Sequence, residues 1–374
     1  MSYSSLSQCG AGCGCHGARR EVSIARQRSA PSGGAAGFYD AVVDWFADLT
    51  GFSESAAGVR EHLVVEGELL RSDVNGRETR CGTLTTPSLA ELRQIVPDQN
   101  GPVTVREVVA DARALHLNAT NRGAMFQVAS QFNLLEMPSP TVTPERGVTG
   151  YWSDRTQGPA CAIACGAGTI QRNWFTPVGG QVGQSADRQI DCATELAAAL
   201  RERSGHDDLW EMRNGYLFAT GDGLDSVADV VAECSTDDRD LLLGSLRIGL
   251  QSNTEVTFGT TSEAPGPIVN QAYCSAVPIG YSEHSAERWE PLARLVLDAT
   301  YEATLRAAAV NAEATGNRSV FLTLVGGGVF GNPTTWIIEA IHRAVTHLVG
   351  ANLDIAIVSY GSRQPEVADL ITRA

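Results

Sequence analysis

The sequence predicts an α/β fold, and two observations carry this prediction. From Leu115 onward, short apolar runs alternate with amphipathic helical segments, a pattern typical of a sandwich around a parallel or mixed sheet. The clearest unit is Ser319–Val325, an apolar, β-branched run that predicts a strand buried on both faces. A glycine loop follows it, and apolar residues from Trp336 to Leu348 then recur at helical spacing.

Composition narrows the classes of function. The chain has 374 residues, of which 43% are hydrophobic and 19% charged, as in soluble globular proteins. A net charge of −15 argues against broad nucleic-acid binding but leaves room for a local basic pocket. No apolar run reaches transmembrane length, and the amino terminus lacks a signal-peptide segment, so no membrane partner is predicted. Nine cysteines, mostly inside apolar runs, predict reduced thiols in a cytoplasmic protein.

Three regions are predicted along the chain. Residues 1–34 form a flexible Cys/Gly/Ser-rich tail, residues 35–100 an accessory layer, and residues 101–374 the main domain. In the tail, Cys13, Cys15 and His16 could ligate a metal. No second ligand pair follows at zinc-finger spacing, so no metal site is predicted.

The accessory layer is predicted to contain two helices and a β-hairpin. An amphipathic helix covers Phe38–Leu49. A hairpin covers Leu63–Leu84, with its turn at Asn75-Gly76. Ser88 and Glu91 form a capping box that begins a second helix.

The glycine loop is the first candidate binding site. It contains Gly326, Gly327, Gly328, Val329, Phe330, Gly331 and Asn332. Asn332 is a preferred N-cap, and Pro333 is favoured at the first helical position. Backbone N–H groups and a helix N-terminus suit a diphosphate, although a tight turn with glycines for packing is equally compatible. The spacing also fits a dinucleotide fingerprint, but the chain has no room for the remaining units, and no lysine follows as in a Walker loop.

A pair of aspartates is the second candidate site. If a helix begins near Ser185, then Gln184, Asp187 and Asp191 lie along one edge of it. Neighbouring carboxylates repel each other unless they share a cation, a ribose diol or a proton. The alternative is a solvated helix start, where acidic residues favour the helix dipole.

Two further segments complete the prediction. The polar loop Asn118–Gly123 precedes a predicted amphipathic helix at Ala124–Glu136, which carries the amides Gln127, Gln131 and Asn133. The loop Asp154–Pro159 is predicted to lead into a buried strand, Ala160–Ala164. Because ligands of such folds bind at the carboxyl ends of the strands, we expect the Asn118 and Gly326 loops to meet there.

These segments resemble the macrodomain family, specifically its poly(ADP-ribose)-glycohydrolase-like branch. The resemblance covers about Val103 to Tyr360 and lies in the Asn118–Glu136 segment, in Thr156–Ala160 and in the Gly326–Asn332 loop. It implies a three-layer α/β/α sandwich with a mixed sheet that binds ADP-ribose. In that arrangement the Gly326–Asn332 loop holds the diphosphate. The further candidate contacts are Asn118, Asn121, Gln127 and Gln184.

One departure bears on catalysis. Glycohydrolases of this branch carry Gln-Glu-Glu, whereas here Gln131 is followed by Phe132-Asn133. The candidate catalytic acids are therefore Glu136, Asp187 and Asp191. The layout also resembles the arginine-specific macrodomains of the MavL type, which use aspartates. The sequence thus predicts a cofactor-free ADP-ribosyl hydrolase acting on modified protein side chains, with arginine as a candidate. The alternatives are a non-catalytic reader of ADP-ribose and an enzyme acting on NAD-derived metabolites.

Overall fold

A computed structural model describes residues 44–95 and 101–373 of the chain. The strands are β1 Leu63–Glu66, β2 Leu69–Ser72, β3 Glu78–Arg80, β4 Thr83–Thr85, β5 Thr104–Val109, β6 Met125–Ala129, β7 Pro177–Val178, β8 Gln181–Val182, β9 Trp210–Arg213, β10 Tyr216–Ala219, β11 Gly249–Glu255, β12 Ile268–Cys274, β13 Ser319–Leu322 and β14 Asp354–Ser359. The helices are α1 Trp45–Thr50, α2 Ala56–His62, α3 Leu89–Ile95, α4 Ala112–Leu117, α5 Gln157–Ala164, α6 Gly166–Trp174, α7 Thr194–Ser204, α8 Gly221–Glu233, α9 Thr236–Gly244, α10 Ala286–Thr315, α11 Thr334–His347 and α12 Pro365–Arg373.

A seven-stranded mixed sheet organises the fold. Its strand order is β4-β11-β12-β6-β13-β14-β5. The five adjacent strands β12, β6, β13, β14 and β5 run parallel to one another. Strand β11 runs antiparallel to both of its neighbours, β12 and β4. In the central register Val320 of β13 lies between Met125 of β6 and Ile355 of β14. The carboxyl ends of β12, β6 and β13 therefore meet at one edge of the sheet.

Helices cover both faces of the sheet. On one face, the Gln127 amide of β6 donates to Thr304 of α10 over 3.0 Å. On the other face, Phe126 stacks against His116 of α4, with ring centroids 3.8 Å apart. Successive strand residues point to opposite faces, so each face has its own apolar core. The predicted three-layer α/β/α sandwich with a mixed sheet is confirmed.

The amino-terminal layer is joined to this sandwich. Strands β1, β2 and β3 form an antiparallel sheet, with Asn75-Gly76 in the turn between β2 and β3. The predicted hairpin is thus confirmed, with a third strand added. The capping box is also present, since Ser88 N donates to Glu91 and Glu91 N donates to the Ser88 hydroxyl. Strand β4 then pairs with β11 and so extends the main sheet.

Glu54 anchors the same layer to the segment that precedes α5. Its carboxylate accepts hydrogen bonds from the N–H groups of Val148 and Thr149, at 2.8 and 2.7 Å. It also accepts from the indole of Trp174 on α6, at 2.7 Å. The backbone at residues 148–149 is therefore held by a residue located near the start of the described chain.

Three predicted elements are wrong, each for a physical reason. Ala124–Glu136 is not a helix: Met125–Ala129 forms β6, and because four of its five residues are buried, it carries no clean alternation. Ala160–Ala164 is not a strand but part of α5, a buried helix of small apolar residues that periodicity cannot distinguish from a buried strand. No helix begins at Ser185, which bridges to Arg188 in a tight turn, and α7 starts only at Thr194.

Other predictions concern absences or fall outside the described ranges. The proposed metal ligands Cys13, Cys15 and His16, and most of the helix predicted from Phe38, lie outside the described residues. Within those residues, no group of three or more metal-ligating side chains is present. No described helix combines the length and apolarity that a membrane span requires.

Candidate functional site

A cavity of about 240 Å³ opens at the carboxyl ends of β12, β6 and β13. Three segments form most of its wall. They are the turn after β6, the segment Asp154–Gly158 at the start of α5, and the loop after β13 from Thr323 to Phe330. The cavity therefore lies at the edge of the sheet where α/β proteins usually bind their ligands.

The turn after β6 carries the buried acid Glu136. Gln131 stabilises this turn, because its amide accepts from Met137 N and donates to Met137 O, at 2.9 and 3.1 Å. Leu134 adopts the left-handed region with φ 65°, which reverses the chain between the two ends of the turn. The N–H of Glu136 donates to the hydroxyl of Tyr151 over 2.9 Å. Glu136 is thus fixed by contacts on both sides.

The Glu136 carboxyl is buried. The residue is 8% exposed, and its Oε1 has no hydrogen-bond partner among the described residues. Burial raises the pKa of this carboxyl well above its ordinary value, and the nearby negative charge of Asp154 adds to the increase. Arg172 opposes it without reversing it. The raised pKa favours the protonated form of Glu136, which is the form that a general acid requires.

Arg172 stabilises the turn that carries Glu136. Its Nε donates to the carbonyl of Leu134 over 2.6 Å, and its guanidinium lies 3.6 Å from the ring centroid of Tyr273. Gln184 contributes from the same side, because its amide donates to the carbonyls of Asn133 and Arg172. Gln184 is 3% exposed and lies outside the cavity wall, so its contacts support the turn.

The glycine loop supplies the polar part of the cavity. Tyr301 fixes its beginning, since the hydroxyl donates to Thr323 O over 2.7 Å and accepts from Val325 N over 2.9 Å. The N–H groups of Gly328, Val329 and Phe330 donate to no other described group. Gly328 and Val329 are exposed on this loop, so its unpaired N–H groups are available to bind an anion.

An aromatic cluster closes one side of the cavity. The ring centroids of Tyr216, Tyr281 and Phe330 lie 5.2 to 5.9 Å from one another. The Tyr216 hydroxyl donates to Met137 O over 2.8 Å. The aromatic wall is therefore joined to the turn that carries Glu136.

The structure brings together part of the predicted site. Gly326, Gly328, Val329 and Phe330 line the cavity together with Glu136. The other predicted residues of this loop do not line the cavity, but two of them fix the conformation of the loop. Gly331 adopts φ 74°, and the Asn332 amide donates to Val277 O over 2.8 Å. Asn332 is not the N-cap, because α11 begins at Thr334 with Pro333 in that position. Gly327 also lies outside the wall.

The other predicted ligand contacts lie elsewhere. The expectation that the Asn118 loop meets the Gly326 loop is wrong, because Asn118–Gly123 precedes β6 and so lies at its amino end. The side chain of Asn118 accepts from Thr120 N, and that of Asn121 donates to Leu115 O. Gln127 is 1% exposed and bonds to Thr304 and to Thr323 N, within the core.

The two predicted aspartates are not neighbours on a helix. Asp187 is exposed in the tight turn after Ser185. The Asp191 carboxylate accepts from Ala193 N over 2.9 Å, just before α7. Burial raises the pKa of Asp191, but neither aspartate lines the cavity. The pairing that motivated their catalytic role depended on the helix that does not form.

Asp154 is a wall residue that the sequence analysis left without a role. It lies at the end of a 3₁₀ turn, Thr149–Ser153, and its Oδ1 accepts from Thr156 N over 2.8 Å. The resemblance had singled out the adjacent Thr156–Ala160 segment, and this was the available signal. Tyr216 and Tyr281 carried no such signal, because each reaches the cavity from a remote part of the chain.

Comparison with solved structures finds poly(ADP-ribose) glycohydrolases, the branch that the sequence motifs resemble. The enzyme from Thermomonospora curvata is 14% identical, with 85% of this chain and 97% of that chain covered and a TM-score of 0.39. Its complex with the inhibitor ADP-HPD has the same identity and coverage and a TM-score of 0.41. The enzyme from Deinococcus radiodurans in complex with ADP-ribose is 14% identical, covering 78% and 93%, with a TM-score of 0.37. No family model and no curated protein matches the chain. We therefore derive the function from the cavity itself.

Proposed function

We propose that this protein binds ADP-ribose and hydrolyses the bond between its distal ribose and a protein side chain. One observation carries the proposal: a buried carboxyl with a raised pKa, Glu136, shares one cavity with the free N–H groups of Gly328, Val329 and Phe330. The first supplies a proton donor, and the second binds an anion without a counter-charge from a side chain.

The cavity is suited to one end of the ligand. Its volume of about 240 Å³ is below the roughly 300–1,000 Å³ of most ligand pockets, so it fits the distal ribose and the diphosphate better than a whole dinucleotide. The diphosphate lies on the N–H groups of the glycine loop. The start of α5, at Gln157 and Gly158, also lines the cavity and adds the positive end of a helix dipole.

Glu136 then assists departure of the protein side chain. Cleavage at the anomeric carbon passes through an oxocarbenium-like state, in which the leaving group gains electron density. A carboxylic acid that stays protonated near neutral pH donates its proton at that moment. The apolar burial of Glu136 serves this purpose directly, and an ADP-ribosylated protein is the partner that this function implies.

Calorimetric titration of ADP-ribose, paired with a turnover assay on arginine-, serine- and glutamate-linked substrates, tests the proposal. A Cβ at Gly328 meets nothing within 4 Å, so Gly328→Glu should fold normally and place a negative charge beside the anion site. We expect binding to weaken by on the order of 100-fold, since a like charge placed beside a bound anion costs several kcal/mol. Gly150→Glu, at another open glycine position, is the matched control.

The outcomes separate the candidate functions. Binding that is lost in Gly328→Glu, together with turnover on one linkage, supports a hydrolase. Binding without turnover on any linkage establishes a reader of ADP-ribose. Tighter binding of NAD than of ADP-ribose indicates an enzyme of NAD-derived metabolites. Absence of wild-type binding contradicts both ADP-ribose readings.

A further inference from the structure

Two carboxyl groups from separate parts of the chain line the same cavity. Glu136 comes from the turn after β6, and Asp154 comes from the end of the 3₁₀ turn before α5. They are close enough that the charge of Asp154 affects ionisation of Glu136. Since Glu136 is more than nine-tenths buried and its Oε1 has no partner among the described residues, this pair is not a solvated acidic cluster.

The two groups have different environments. Glu136 is buried, whereas Asp154 is half-buried at the cavity mouth. The Asp154 carboxylate accepts the N–H of Thr156 over 2.8 Å, which fixes the orientation of the side chain. One cavity therefore holds a buried carboxyl and a second, more accessible carboxyl, and glycoside hydrolases divide acid and base roles between two such groups.

We propose that Asp154 is the general base of the reaction and that it forms, with Glu136, a catalytic pair built from two segments. This inference rests on the proposed hydrolase function. Asp154 removes a proton from a water molecule while the water oxygen forms a bond to the anomeric carbon of the distal ribose. The bond from that carbon to the protein side chain breaks, and the leaving atom takes the proton of Glu136. The products are ADP-ribose and the free side chain. Asp154 has gained one proton and Glu136 has lost one, so the two carboxyl groups together hold as many protons as before.

Other titratable groups around Glu136 do not compete for these roles. Burial raises the pKa values of three neighbours and keeps them neutral in the ordinary pH range: Tyr151, Tyr216 and Cys161. The Arg172 guanidinium carries only donors, so it cannot accept a proton from water, and it donates to Leu134 O. Within the cavity wall as described, Asp154 and Glu136 are the two carboxyl groups.

The test compares pH–rate profiles of wild type, Asp154→Asn and Glu136→Gln on the linkage that the wild type cleaves. The amide oxygen introduced by Asp154→Asn can still accept from Thr156 N, so this variant should fold and bind ADP-ribose as before. We expect kcat to fall by about 10²–10⁴-fold in each variant, the usual contribution of a general acid or base. Asp154→Asn should also lose the acidic limb of the profile. Its alkaline limb should move to lower pH, because removal of the neighbouring negative charge lowers the pKa of Glu136.

Azide gives a second readout that a structural role would not affect. In Asp154→Ala, azide needs no base, so it should accelerate cleavage and yield ADP-ribosyl azide. Asp229→Ala, an exposed acid on α8, is the control and should show neither slow turnover nor azide acceleration. If the wild type hydrolyses no linkage, the proposed function fails. If the wild type is active and Asp154→Asn keeps its rate and both limbs, the role of Asp154 is refuted and the proposed function stands.

Discussion

Gly158→Ala should displace the Glu136 carboxyl without changing its chemical identity. A Cβ at Gly158 would lie 2.6 Å from Glu136 Oε1 and 2.4 Å from Ala129 O. Ordinary contact begins at 3.4 Å, so α5 must move about 1.0 Å away from Ala129 O, and the separation from the Glu136 carboxyl must grow by about 0.8 Å. We expect a loss of about 1–3 kcal/mol in the free energy of unfolding, the usual cost of overpacking. We expect kcat to fall by about 100-fold, because an ångström of misplacement has that effect on a catalytic group.

Gly150→Ala is the matched control for this experiment. A Cβ at Gly150 meets nothing within 4 Å, so this variant should match the wild type in both stability and turnover. Urea unfolding gives the stability, and turnover on an ADP-ribosylated substrate gives kcat. A Gly158→Ala protein that is folded, binds ADP-ribose and keeps wild-type kcat would show that the present position of Glu136 is not required.

Two more predictions concern the supports of the site. Tyr301→Phe should lower the free energy of unfolding by about 1–3 kcal/mol, because Thr323 O and Val325 N both lose a buried hydrogen-bond partner. Urea unfolding measures this loss. Calorimetry should also show weaker ADP-ribose binding, because Tyr301 fixes the start of the glycine loop. Glu136→Gln should be more stable than the wild type at about pH 8, with the difference shrinking towards about pH 4. The sign follows from the raised pKa of Glu136: as pH rises, the unfolded chain loses a proton that the folded chain retains, so wild-type stability falls. Urea midpoints of both proteins across that range check it, and parallel curves would contradict it.

Prediction from sequence succeeded where a local pattern determined the structure. The glycine loop after Ser319–Val325 is confirmed between β13 and α11, because a β-branched run and a glycine-rich turn specify strand and loop locally. The Asn75-Gly76 turn and the Ser88–Glu91 capping box are confirmed for the same reason.

Prediction failed where burial removed the pattern. β6 and α5 are buried on nearly every side, and side-chain periodicity then distinguishes neither strand nor helix. Because Met125–Ala129 is a strand and not a helix, Asn118–Gly123 lies at the amino end of β6, at the edge of the sheet opposite to the expected one. Tyr216 and Tyr281 reach the cavity only through tertiary packing, which no local spacing encodes.

Glu54 connects the amino-terminal layer to the cavity although it does not line the cavity wall. Its carboxylate accepts the N–H groups of Val148 and Thr149, which begin the 3₁₀ turn whose next members hold Glu136 and lead into Asp154. Since both donors are backbone N–H groups, this contact needs only an acid at position 54 and does not depend on the side chains at 148 and 149. Removal of the amino-terminal layer should therefore disturb the cavity without changing any residue in its wall, because Tyr151 and Asp154 belong to the segment that Glu54 holds.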